Sequence, residues 1–143
     1  MKHLKIVLLL ILISVSSCNQ TKSKDVITEK LEWMQEMHLE DGKLWEANSE
    51  TTDGIKKMQQ IMNSFSDKES IIAYASLKTS LETEFTNIFQ KCTMKGESHN
   101  QLHSYLKPMI EIFEGLESSD LNICKESFKT MENHLENYSN YFE

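Results

Sequence analysis

Arginine is absent from this 143-residue chain, proline occurs once and glycine four times. All 15 basic residues are therefore lysine, set against 22 acids, for a formal charge of −7. Without arginine no side chain can grip a phosphate bidentately. With an acidic balance there is no basic footprint for nucleic acid. So little Pro and Gly excludes collagen-like and Pro-rich classes, and 39% hydrophobic residues exclude a wholly disordered chain. The body of the chain also lacks β-branched runs, which excludes an all-β fold. No signature of a standard enzyme is present, and the chain reads as non-enzymatic. The length is that of one average domain.

What is present begins with an address. Lys2 and Lys5 precede eight unbroken aliphatic residues, Ile6 to Ile13. That run fits a signal h-region and is too short for a stable bilayer span. Val15-Ser16-Ser17-Cys18 follows and resembles a bacterial lipobox, which implies cleavage before Cys18 and acylation of its thiol and new amine. Several acyl chains hold a membrane firmly where one does not. Asn19 rather than Asp follows the cysteine, which by resemblance to the enterobacterial sorting rule favours the outer membrane over the inner. Cleavage removes 17 of the 143 residues and two of the 15 lysines but no acid, leaving 126 residues at −9. Such a module is repelled from an anionic lipid surface. The expected organisation is residues 1–17 as signal peptide, 18–37 as lipidated cysteine and tether with a short helix from Val26, and 38–143 as the folded body.

That body reads as all-α. Four stripes carry helical spacing. The first runs Thr51, Ile55, Met58, Met62, Phe65, capped by Asn48 or Ser49. The second runs Tyr74, Leu77, Leu81, Phe85, Ile88, Cys92 behind a Ser66–Glu69 capping box. The third runs His99, Leu102, Leu106, Met109, Phe113, Leu116 behind a Ser98–Gln101 box, with Pro108 inside it, expected to kink the helix by removing one backbone bond, and Gly115 as its stop. The fourth runs Leu121, Cys124, Phe128, Met131, Leu135, Tyr138, Phe142, capped by Ser118 or Ser119. Short connections make neighbours antiparallel, so the expected fold is an up-down-up-down four-helix bundle. Trp33 and Trp45 have no place in this scheme.

Folding the stripes at their turns gathers the unusual side chains. Cys92 and Met94 come beside His99, with His103 one turn on. His134 falls level with a point between those histidines, and His38 lies just beyond. Cys124 falls near the other pole, roughly 20 Å from Cys92 at 1.5 Å per residue. A disulfide needs Cα atoms within about 7 Å, so no Cys92–Cys124 bond is expected. His99 and His103, four apart, share one helix face. Thiolate, thioether and imidazole together suit copper, and thiolate with imidazole suits zinc. Cys92, Met94, His99 and His103 are the expected ligands, with His38 and His134 as further ligands or as groups that orient them. Each of these residues also has a plainer role: Cys92 and His99 continue core stripes, His103 and His134 flank them, and Met94 sits in a loop. The absence of Cys-x-x-Cys-His excludes covalent c-type haem, while noncovalent haem and a Cys–His nucleophile pair, for which no oxyanion hole is evident, are weaker readings.

The block Cys92-Thr93-Met94-Lys95-Gly96, His99-Asn100-Gln101-Leu102-His103, Leu106 and Pro108 resembles a set of small uncharacterised bacterial envelope lipoproteins. Upstream, His38, Asp41-Gly42-Lys43, Trp45 and Asn48 are similar to the same set, so the likeness covers residues 38–142. It implies a helical bundle and supplies neither a metal nor a reaction. The expectation is a membrane-tethered envelope lipoprotein that binds copper, or zinc, for sequestration or sensing. The alternative is a non-catalytic lipoprotein that docks an envelope protein and holds no metal.

Overall fold

The computed structural model describes residues 37–143. The signal segment, Cys18, the tether, the helix expected from Val26 and Trp33 lie outside the described residues. Among the described residues four helices follow one another: α1 (Ser49–Ser64), α2 (Ile71–Lys91), α3 (Gly96–Leu116) and α4 (Leu121–Glu136). A 3₁₀ turn, Asn137–Asn140, extends α4. The fold is all-α, with no strand among the described residues.

The stripes place the helices, and the caps are chosen elsewhere. Ser70, not Ser66, caps α2 by accepting from the Ala73 N–H at 3.2 Å. Asp120, not Ser118 or Ser119, caps α4 through the Asn122 N–H at 2.8 Å. Ser98 lies inside the first turn of α3 and donates back to the Lys95 carbonyl. Asn48 does hold the N-cap position of α1, but its side chain binds Thr51 Oγ1 and the Lys91 carbonyl rather than an α1 N–H. Ser, Thr, Asn and Asp are near-equivalent caps, so where several cluster the packing of the loop selects one. Gly115 is not a stop either, because α3 continues to Leu116. That helix also runs unbroken through Pro108.

Contacting pairs run in opposite senses along neighbouring helices. Between α1 and α2, Gly54 faces Ile88 and Lys57 faces Glu84. Between α2 and α3, Lys78 pairs with Glu117, Phe85 meets Phe113 and Cys92 meets His99. Between α3 and α4, Tyr105 meets His134 and Gly115 meets Ser127. Thr52 with Tyr138 and Gln59 with Leu135 close the ring between α1 and α4.

The core is one cluster. Ile55, Met58, Leu81, Ile88, Leu102, Leu106, Met109, Leu116, Met131 and Leu135 are each at most 1% exposed. Fully burying each such side chain contributes roughly 1.5–3 kcal/mol. Gly54 and Gly115 set two of the four seams. A Cβ at Gly54 would overlap Ile88 Cγ1, and one at Gly115 would overlap the Ser127 hydroxyl. The helix backbones approach closely there. The α2–α3 seam contains no such glycine. Phe85, Phe89 and Phe113 stack along it edge to face at 5.0 and 5.3 Å. Bulky rings hold the axes apart, and a groove of about 530 Å³ opens beside Phe85, Ile110 and Phe113.

Residues 37–48 pack on the bundle. Trp45 and Met37 are buried in the common core, so the packed body takes in Met37, the last residue assigned to the tether. Trp45 Nε1 donates to the His38 carbonyl at 2.6 Å. The Trp45 and Ala47 N–H groups donate to the Tyr141 and Glu143 carbonyls, and the Glu143 N–H donates to the Trp45 carbonyl. A two-residue turn reverses the segment. Asp41 and Gly42 both take positive φ, 50° and 83°, while Glu40 and Lys43 exchange two backbone hydrogen bonds of 2.9 Å. Asp-Gly is the pairing this mirror-image turn favours.

Candidate functional site

Three groups expected at one pole do meet. Cys92 is the C-cap residue of α2, and His99 and His103 lie in the first two turns of α3. The intervening residues 93–95 are too few to separate the helix ends, so thiol and imidazole face each other. Cys92 Sγ stands 3.5 Å from His99 Nδ1. On the far edge of the same ring, His99 Nε2 stands 3.0 Å from His103 Nε2. The two histidine rings cross at 75° with centroids 4.5 Å apart.

This is a line rather than a ring of donors. The two nitrogens of His99 face different neighbours, so one ion cannot take both of its edges at once. The two Nε2 atoms at 3.0 Å share one proton, because two bare lone pairs would repel and two N–H groups would collide. The donors line a pocket of about 110 Å³ with Ile88, Phe89, Leu102 and Leu106. Four of its seven lining residues are apolar, so it shields the Cys92 side, while His103 is exposed to solvent.

The other expected ligands go elsewhere. Met94 packs against the core cluster and is not among the pocket-lining residues. His38 lies on the opposite face of α3, because Gln101 holds it, and Gln101 is two residues from both His99 and His103 on a helix of 3.6 residues per turn. The His38 N–H donates to Gln101 Oε1 at 3.1 Å, and Gln101 Nε2 donates to His38 Nδ1 at 3.0 Å. Gln101 also donates to Glu97, and with Asn100 it holds that exposed carboxyl below its usual range. His134 is buried between α3 and α4, stacked on Tyr105 with centroids 4.5 Å apart. Its Nε2 donates to the Tyr105 carbonyl at 2.8 Å, which occupies the nitrogen a ligand would use. His134 lies level with Tyr105, about one turn beyond the expected height, because the α3–α4 turn is centred later than the stripes suggested.

Among the described residues, no group of three or more His, Cys, Asp and Glu side chains is arranged to hold a metal ion. The thiols of Cys92 and Cys124 are both free. Cys124 is buried against the Leu116 and Ser118 carbonyls, and burial pushes its thiol pKa up. From His99 to Leu116 along α3 is roughly 25 Å.

One residue at the site was not anticipated. Phe89 packs edge to face on His103 at 5.4 Å and walls the pocket. It is three residues before Cys92, a spacing that places both on one helix face. On the other face of α3, Gln101, expected as the capping-box partner of Ser98, is instead the buried polar group that holds His38.

Comparison with known protein families, curated proteins and solved structures returns no match for this chain. No helix among the described residues is long and apolar enough to cross a membrane.

Proposed function

We propose that this chain is a lipid-anchored envelope protein that binds one transition-metal ion between His99 and His103. The lipobox-like Val15-Ser16-Ser17-Cys18 supports the anchor, and the 3.0 Å approach of the two Nε2 atoms carries the metal reading. Tetrahedral zinc with Zn–N of about 2.0–2.1 Å requires ligand nitrogens roughly 3.3 Å apart. The separation of the two nitrogens is therefore within a few tenths of an ångström of that distance, and a turn of each ring would aim both lone pairs at the ion. The metal replaces the shared proton.

When His99 Nε2 binds the ion, Nδ1 carries the ring proton and donates it to Cys92 Sγ. An acceptor on the second nitrogen fixes tautomer and ring orientation, as outer partners of metal-bound histidines generally do. Cys92 is thus a positioning residue. Imidazole pairs suit zinc(II) and copper(I) alike. The thioether that favours copper, Met94, packs on the core instead. Sequestration or sensing of the ion in the envelope is the role such a solvent-facing site fits.

A second reading, a metal-free interaction protein, draws support from Phe89 and Ile110, which are 41% and 52% exposed on this seam. Elemental analysis of the native protein separates the two. Titration with Zn(II) and Cu(I) then tests the first. Unchanged affinity after His99→Ala with His103→Ala overturns it.

A further inference from the structure

We infer that the His99–His103 pair is one half of a zinc site completed by a second copy of this chain, so that one ion joins two bundles across their α2–α3 seams. The inference rests on the metal reading above and adds the partner.

The donor count carries it. Structural zinc takes four protein ligands in a tetrahedron. The exposed edge of this site offers two nitrogens, and no third or fourth His, Cys, Asp or Glu joins them among the described residues. Cys92 does not make up the number, because its sulfur meets the other edge of His99. A tetrahedron of two identical bidentate pairs has a two-fold axis through the ion. A homodimer supplies that axis, since a two-fold interface is made of the same patch twice. Two copies give four Nε2 donors once each pair opens slightly and its rings turn toward the ion.

The surroundings fit a second copy. His103 is exposed, so its nitrogen is reachable from outside. Phe89 lies against the His103 ring, and Ile110 lies seven residues further along α3, on the same face two turns away. Both are large exposed hydrophobics, placed where the mate's equivalents would cover them. Beside the histidines charge does not forbid the approach, while the groove around Ile110 carries Glu82 and Glu114 together with Lys78. Residues 85–92 at the end of α2 contain no acid. The one acid in the first two turns of α3, Glu97, is held by Asn100 and Gln101 and pairs with His38 on the opposite face. Elsewhere the acidic surfaces of two copies repel. The ion is therefore the switch: without it the small apolar contact does not hold two like-charged chains together, and with it the contact closes.

The test is sedimentation equilibrium of the full chain in detergent, alongside zinc binding measured by equilibrium dialysis. The expected result is a monomer in chelator, a doubling of protein mass with zinc, and one zinc per two chains. Ile110→Glu is expected to leave zinc bound but shift the ratio to one per chain without dimerisation. Wild-type protein that binds one zinc per chain with unchanged mass overturns the dimer and leaves the metal reading standing. Dimerisation of Ile110→Glu equal to wild type also overturns it, since the interface would then lie elsewhere. Absence of zinc binding by the wild type removes the metal reading along with the dimer.

Discussion

Tyr105 and His134 bind each other's backbone. The Tyr105 hydroxyl donates to the His134 carbonyl at 2.9 Å, and His134 Nε2 donates to the Tyr105 carbonyl at 2.8 Å. Their rings stack at 24° between the two bonds. This reciprocal clasp fixes the register of α3 against α4. It also turns a candidate ligand into a structural residue, because buried polar groups that are hydrogen-bonded stabilise while orphaned ones cost free energy.

His134→Ala therefore removes a stacked ring and a buried donor together. The expected loss is about 2–4 kcal/mol, combining cavity formation with one broken hydrogen bond. Tyr105→Phe removes only a hydroxyl and is expected to cost about 1 kcal/mol. Urea denaturation of both variants checks the ordering.

Burial pushes the Tyr105 phenol well above its usual range and raises Tyr138 in the same direction, with a partly offsetting hydrogen bond from Thr52. The folded state thus holds these protons more tightly than the unfolded chain. Their contribution is fully present below the ordinary phenol value of about 10 and is lost as pH rises through it toward the folded values. Stability against urea should fall above that pH, and Tyr105→Phe should soften the fall.

Trp45 ties the N-terminal segment to the C-terminus. Trp45→Ala removes a buried indole and its bond to the His38 carbonyl, at an expected cost of about 3–5 kcal/mol. Hydrogen exchange should show faster exchange at Ala47 and Glu143, whose amides belong to that pairing.

Gly54→Ala should destabilise. An exposed helical Gly→Ala change gains about 0.5–1 kcal/mol, but here the methyl group meets the branched side chain of Ile88, which is 1% exposed. Overpacking of this kind typically costs about 1–3 kcal/mol, so the clash outweighs the propensity. Thermal unfolding decides the sign.

At the proposed metal site, Cys92→Ser should weaken zinc by roughly 10–100-fold, the range for an outer partner of a ligand. His103→Ala should weaken it further, and Met94→Leu should leave it unchanged. Affinity should fall as pH falls, because protons compete for the ring nitrogens. A competition titration against a zinc indicator at two pH values checks all four outcomes.

The pairing of Cys92 with His99 and of His99 with His103 was legible from spacing alone. A three-residue link and a four-residue interval on one helix leave little freedom. The helices themselves were legible for the same local reason, since apolar stripes at 3.6-residue spacing need one buried side. The caps were not, because Ser66, Ser70, Ser118, Ser119 and Asp120 differ too little in intrinsic preference for the local sequence to choose among them.

Trp45, His38 and His134 show where local information ended. Trp45 belongs to no stripe, and it is placed by pairing with residues almost a hundred positions away. His38 reaches the expected end of the bundle but is taken up by Gln101, and His134 lies about one turn further along, level with the middle of α3, where Tyr105 takes it up. The amino-acid sequence alone determined which segments became helices and that Cys92 and the imidazoles of His99 and His103 share one end of the bundle, because both follow from spacing along one chain. Only the tertiary structure decided which of those imidazoles kept an edge open to solvent, because that depends on how neighbouring helices rotate about their axes to bury aromatic rings and satisfy buried polar atoms.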